Sequence, residues 1–88
     1  MTQAIVNEMR RRIQGSYNIS RNKGRYDADK FAEFKTLRNN LISFKALNYE
    51  ASKGVTTLPD NFETEVKETC KQFDKAVREL TGYGIPSC

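Results

Sequence analysis

Apolar residues recur every three or four positions in three stretches of the 88-residue chain. This spacing places them on one side of an α-helix, so each stretch predicts a helix. The first stretch ends before Gly15, and Thr2 is a suitable N-cap at its start. Its apolar stripe consists of Ile5, Val6, Met9 and Ile13. We therefore predict a first helix over residues 1–14.

The second stretch covers residues 27–53 and is apolar on two sides. One stripe consists of Phe34, Leu37, Leu41 and Phe44, and a second stripe consists of Phe31, Ile42 and Tyr49. The two stripes are about 80–100° apart around a helix that is roughly 40 Å long. Gly54 is a typical C-terminal stop for it. Because two apolar stripes need two neighbours, we expect the second stripe to be a dimer or partner interface.

The third stretch predicts a helix over residues 60–81, followed by a tail over residues 82–88 that begins with Gly82. Its apolar face consists of Phe62, Val66, Cys70, Phe73, Val77 and Leu80. Asp60 and Glu63 have the spacing of a capping box. A short turn joins the second and third helices, which predicts an antiparallel hairpin. The chain is thus expected to be one all-α domain, a short N-terminal helix and a long hairpin, that dimerises into a helical bundle.

Residues 15–26 form a polar segment between the first two helices. The segment, GSYNISRNKGRY, lacks a helical period and is rich in Gly, Ser and Asn. This composition predicts a loop.

The amino-acid composition argues against most catalytic and metal-binding functions. The chain has no His, the side chain most often used for proton transfer near neutral pH and the commonest metal ligand. We therefore expect no enzyme activity, no cofactor and no metal. No apolar run approaches the roughly 20 residues of a membrane span, and no signal-peptide pattern follows the start. These features predict a cytoplasmic protein.

The positive charge is concentrated at one end of the chain. The formal net charge is +4, from 15 Lys and Arg against 11 Asp and Glu. Residues 1–25 hold six basic side chains and one acidic one, Glu8, for a net charge of +5, whereas residues 26–88 hold nine basic and ten acidic ones, for −1. Such a basic end favours a nucleic acid or an acidic protein surface as partner, although a solvated basic segment also explains it.

The basic end supplies the candidate nucleic-acid contacts. Arginine and lysine bind phosphates, and aromatic rings stack on bases. The candidates are Arg10, Arg11, Arg12, Tyr17, Arg21, Lys23, Arg25 and Tyr26. Successive arginines on a helix diverge by about 100°, so the three at 10–12 cannot all meet one surface. A solvated helix face and an ordinary flexible loop are the alternative interpretations.

A second basic stripe lies on the third helix. It consists of Lys67, Lys71, Lys75 and Arg78. Glu63, Glu68 and Asp74 precede these side chains by three or four residues, the spacing of weak ion pairs on a solvated helix. A solvated face is therefore the favoured interpretation. On the second helix, Arg38 and Lys45 are expected to lay their stems over an apolar seam.

The remaining polar candidates have simple structural interpretations. Cys70 lies on the apolar face of the third helix and is expected to be a core residue. With Cys88 it is expected to be a free thiol, and a disulfide is the alternative. Asp27, Asp29 and Glu33 cluster at the start of the second helix, where capping is favoured over metal binding.

Two functional hypotheses follow. The first is a dimeric nucleic-acid-binding protein, comparable in architecture alone with viral accessory or suppressor proteins whose helices lie along double-stranded RNA. The second is a protein–protein interaction module, such as an inhibitor, an adaptor or a phage-type anti-defence factor, that docks through the second helix on an acidic protein. The basic first quarter of the chain slightly favours nucleic acid.

Overall fold

Three α-helices make up most of the computed structural model, which describes residues 3–82 apart from the side chain of Lys23. Helix α1 spans Gln3–Arg21, α2 spans Ala28–Ser52 and α3 spans Phe62–Thr81, and a 3-10 turn at Lys23–Arg25 joins α1 to α2. The described residues contain no strand, so the predicted all-α class is confirmed. The expected N-cap Thr2 and the tail beyond Gly82, with Cys88, lie outside the described residues.

Helix α1 is longer than its sequence predicts. The predicted loop over residues 15–26 is wrong for residues 15–21, which continue the helix to Arg21. Ile19, only 3% exposed, extends the apolar stripe by one more turn. Ser16 is fully buried and donates a hydrogen bond from Oγ to the Ile13 carbonyl at 2.6 Å. Burial of these two side chains outweighs the low helix propensity of Gly15.

Both ends of α2 match the predicted boundaries within a residue. The Asp27 side chain accepts a hydrogen bond from the Lys30 backbone N–H at 3.1 Å, which is an N-cap. At the other end, Gly54 adopts a positive φ of 79°. Its N–H donates to the Ala51 carbonyl, and the Val55 N–H donates to the Glu50 carbonyl. These two bonds form a Schellman motif, which requires the left-handed conformation that glycine adopts without strain.

Helix α3 begins differently from the prediction. The capping box of Asp60 and Glu63 is wrong, because the N-cap is Asn61 and its side chain makes no capping bond. A tight turn precedes the helix, in which the Phe62 N–H donates to the Pro59 carbonyl at 3.1 Å. This turn moves the first helical residue to Phe62. The predicted stop is confirmed, since Gly82 has a φ of 78° and its N–H donates to the Arg78 carbonyl.

Aromatic pairs fix the packing of α2 on α3. The ring centroids of Phe34 and Phe73 are 5.5 Å apart, and those of Phe44 and Phe62 are also 5.5 Å apart. The later residue of α2 meets the earlier residue of α3, so the two helices run antiparallel. Helix α1 packs against both of them and contributes Ile5, Met9, Ile13 and Ile19 to the common core.

The second apolar stripe of α2 is partly covered by its own chain and partly exposed to solvent. Phe31 is half-buried, with its ring stacked on Tyr26 at 6.4 Å and its centroid 5.6 Å from that of Phe34. It is covered by its own chain and does not need a second copy. Ile42 and Tyr49 remain 38% and 63% exposed.

Within residues 3–82, no helix is long and apolar enough to cross a membrane.

We expect Phe73→Ala to lower the free energy of unfolding by about 3–5 kcal/mol, because it leaves a cavity between α2 and α3. Val55→Ala is the control: Val55 is 72% exposed, and its truncation should change stability by less than about 0.5 kcal/mol. Urea unfolding followed by circular dichroism measures both. Equal effects of the two variants would contradict the assigned core.

Candidate nucleic-acid interface

The side of α1 that faces solvent carries a continuous polar row. Its members are all exposed and lie within an arc of about 100° around the helix. We call this set the outer row: Gln3, Asn7, Arg10, Gln14, Tyr17, Asn18 and Arg21. The row extends over about 27 Å and contains no acidic residue. The acidic residue of α1 is Glu8, about 160° around the helix from Arg10.

An ion pair with α3 sets the rotation of α1. The Arg12 guanidinium donates from Nε to Asp74 Oδ1 at 2.9 Å and from Nη2 to Asp74 Oδ2 at 2.7 Å. This bidentate geometry is the strongest that an arginine and a carboxylate form. The Arg12 side chain is only 11% exposed. The prediction that Arg12 contacts nucleic acid is therefore corrected: Arg12 joins two helices.

Glu8 completes this cluster at the edge of α1. Arg12 Nη1 donates to Glu8 Oε2 at 2.6 Å, and Arg11 Nη2 donates to the same oxygen at 2.7 Å. The hydrogen bond from Arg12 lowers the pKa of Glu8, and the positive charge of Arg11 adds to this effect. Burial disfavours the charged form of Arg12, yet hydrogen bonds to Asp74 and Glu8 raise its pKa. Glu8 is held by two arginines about 160° around α1 from Arg10, and Asp74 lies on α3, so neither carboxylate is on the outer row.

A second contact ties α1 to α2. Arg38 Nε donates to the buried Ser16 Oγ at 2.8 Å, and its guanidinium carbon lies 5.0 Å from the centroid of the Tyr17 ring. The predicted seam position of Arg38 is thus a specific contact with α1. Tyr17 is 49% exposed and carries this cation on its ring.

The turn after α1 extends the basic surface. Arg21 and Arg25 are exposed, and Lys23 lies between them in sequence. The turn is held by backbone bonds from Asn22 to Ile19 and from Arg25 to Asn22. The ring of Tyr26 is parallel to that of Phe31, with an interplanar angle of 4°. Tyr26 therefore packs on the core cluster, which reduces the surface it could offer to a base.

The basic stripe of α3 is interleaved with acids. Lys67 pairs with Glu63 at 3.4 Å, and Lys75 approaches Glu79 at 4.0 Å. Lys71 and Arg78 are also exposed. Asp74, whose spacing suggested a pair with Arg78, bonds Arg12 instead. Exposed pairs of this kind contribute little to stability, and their carboxylates repel a polyanion.

No protein-family model, curated protein or solved structure matches this chain. The structure brings Arg10, Tyr17 and Arg21 onto one surface and places Arg11 at its edge, beside Glu8.

Sequence reasoning missed three amides of the outer row: Gln3, Asn7 and Gln14. Their spacing of three or four residues from one another, from Arg10 and from Asn18 was the available signal. The predicted helix end at Gln14 concealed it, because the last part of the row fell in a predicted loop.

The other polar candidates have structural roles. Cys70 is a buried free thiol, and burial raises its pKa, which makes it a poor nucleophile. Asp27 caps α2, as expected. Among residues 3–82, no cluster of three or more potential ligands is arranged to hold a metal ion.

We expect Arg12→Ala and Asp74→Ala each to lower the free energy of unfolding by about 2 kcal/mol, because each removes the two hydrogen bonds that join these partly buried side chains. In a double-mutant cycle the pair should show a coupling energy of about 1–3 kcal/mol. Urea unfolding of the four proteins measures it. A coupling near zero would contradict the role of this pair in fixing α1.

Proposed function

We propose that this protein binds nucleic acid through the outer row of α1 and the basic turn that follows it. The observation that carries the proposal is that a 19-residue helix presents an exposed, acid-free row of arginines and amides. Arginine supplies charge for phosphates, and amides donate and accept hydrogen bonds. A face that served only for solubility would be expected to mix both signs of charge, as α3 does.

The distribution of charge favours the outer row and the basic turn over the basic stripe of α3 as the nucleic-acid interface. Arg10, Arg21 and Arg25 are exposed, whereas Glu8 is engaged by two arginines. A phosphate backbone that follows α1 therefore meets positive charge without a facing carboxylate from this helix. The stripe on α3 offers four cations, but Glu63 and Glu79 lie beside Lys67 and Lys75.

The test is the salt dependence of binding to a fluorescently labelled nucleic acid, measured by anisotropy. Removing two phosphate contacts with Arg21→Gln/Arg25→Gln should weaken binding about tenfold or more and flatten the salt slope by about 2. Lys71→Gln/Arg78→Gln is the matched control, since it removes the same charge from α3 and should have a much smaller effect.

Two results would contradict the proposal. One is the absence of binding to single-stranded and double-stranded DNA and RNA at low salt. The other is an equal loss of affinity in both double variants, because then only the net charge of the protein would matter.

A second candidate function is a protein–protein contact through α2, favoured by the exposure of Ile42 and Tyr49. Their simplest cover is a second copy, which would make the 10.1 kDa chain a homodimer. Lys45, half-exposed beside them, would instead attract an acidic protein.

For a homodimer we expect light scattering to give twice the mass of one chain, and Ile42→Glu/Tyr49→Glu to halve it without loss of helicity. Val55→Glu, at an exposed site outside α2, is the control and should leave the mass unchanged. A single-chain mass for the unaltered protein at every concentration would exclude the homodimer.

A further inference from the structure

We propose that the nucleic acid is B-form duplex DNA and that the outer row of α1 reads bases in its major groove. This inference rests on the proposed function and specifies its ligand. It is carried by three features of α1: its shape, the chemistry of the outer row and the engagement of the nearby tyrosines.

The shape of α1 suits a major groove. One side of the helix packs on α2 and α3 through Ile5, Met9 and Ile13, and the opposite side projects the outer row into solvent. The major groove of B-form DNA is about 12 Å wide and admits an α-helix. The major groove of A-form RNA is deep and narrow, and side chains cannot read it. A helix that presents one long polar face therefore fits DNA better than double-stranded RNA.

The chemistry of the row matches base edges. Arginine forms two hydrogen bonds with guanine, and asparagine or glutamine forms two with adenine. Asn7, Arg10 and Gln14 occupy the centre of the row and lie on successive turns of α1. They span about 10 Å along the helix axis, which corresponds to about three base pairs.

Two neighbouring amides of the row, those of Gln3 and Asn7, are ordered by a hydrogen bond between them. Gln3 Nε2 donates to Asn7 Oδ1 at 3.0 Å, which leaves the Asn7 amide group able to donate outward. Beyond the other end of the row, the side-chain amide of Asn22 donates to the backbone carbonyl of Asn18 at 2.9 Å. Arg21 and Arg25 follow the reading positions and are placed to contact the phosphate backbone.

The tyrosines argue against a single-stranded ligand. Proteins that bind single strands use exposed aromatic rings as stacking platforms. In this chain the Arg38 guanidinium lies over Tyr17, and Tyr26 is stacked on Phe31. Tyr26 is thus engaged within the protein and Tyr17 keeps one ring face for a base, so the chain offers no series of stacking platforms and the arginines and amides of the outer row are the main readers.

The experiment selects preferred sites from a pool of random DNA duplexes with the full chain. Affinity is then measured for the enriched duplex, a scrambled duplex, a double-stranded RNA of the same sequence and each single strand. We expect the enriched DNA duplex to bind at least tenfold more tightly than the other four. Asn7→Ala/Gln14→Ala should reduce its advantage over the scrambled duplex about tenfold or more, because each variant position loses a paired contact with a base.

Gln72→Ala, at an exposed amide on α3, is the matched control and should keep the preference. Circular dichroism should show unchanged helicity for all these variants, since the altered side chains are exposed. Arg21→Gln should weaken binding to enriched and scrambled duplexes by the same factor, as expected for a phosphate contact.

The possible failures are distinguishable. Tighter binding to RNA or to single strands would overturn the major-groove inference and leave nucleic-acid binding intact. Duplex binding without sequence preference, or with a preference that survives Asn7→Ala/Gln14→Ala, would overturn base reading by this row. Absence of binding to all five ligands at low salt would overturn the proposed function itself.

Discussion

The bidentate pair between Arg12 and Asp74 determines what the first helix presents to solvent. A helix packed only through aliphatic side chains can rotate by some degrees without losing much buried area, but a guanidinium fork tolerates little rotation. With Arg12 held against α3, Arg10 is about 160° away around the helix, on the outer side. The contact of Arg38 with Ser16 and Tyr17 fixes the same helix from the α2 side. The proposed interface is therefore a consequence of two polar contacts on the inner side of α1.

The periodicity of apolar residues is sufficient to predict α2 and α3, whose boundaries differ from the prediction by at most two residues. It is insufficient at Gly15, where a glycine among polar residues predicts the end of a helix that continues to Arg21. Glycine costs about 1 kcal/mol within a helix, and the burial of Ile19 and Ser16 more than offsets it. Ser16 is buried against Arg38 of α2 and Ile19 joins the core shared by the three helices, so no local pattern could have shown this burial. The capping box at Asp60 is wrong for a local reason, since a turn closed by the Phe62 N–H and the Pro59 carbonyl moves the helix start to Phe62.

Three consecutive arginines illustrate the same limit for the candidate site. The sequence showed that Arg10, Arg11 and Arg12 must point in different directions, because successive side chains diverge by about 100°. It could not show which of them turns inward, since the partner of Arg12 is 62 residues away. In the structure Arg10 faces solvent, Arg11 pairs with Glu8 and Arg12 is enclosed. Only one of three identical neighbours is fully available to a ligand.

The 62-residue separation between Arg12 and Asp74 also bears on the order of folding. Contacts between α2 and α3 close a shorter loop than contacts between α1 and α3, and the entropy lost on closure grows with loop length. Local helical pairs form early in folding for this reason. Helix α2 is joined by short connections to both α1 and α3, whereas the Arg12–Asp74 pair spans 62 residues. The pair that fixes the rotation of α1 is thus expected to form after the contacts of α2 with its two neighbours, so the outer row reaches its final orientation in the last step of folding.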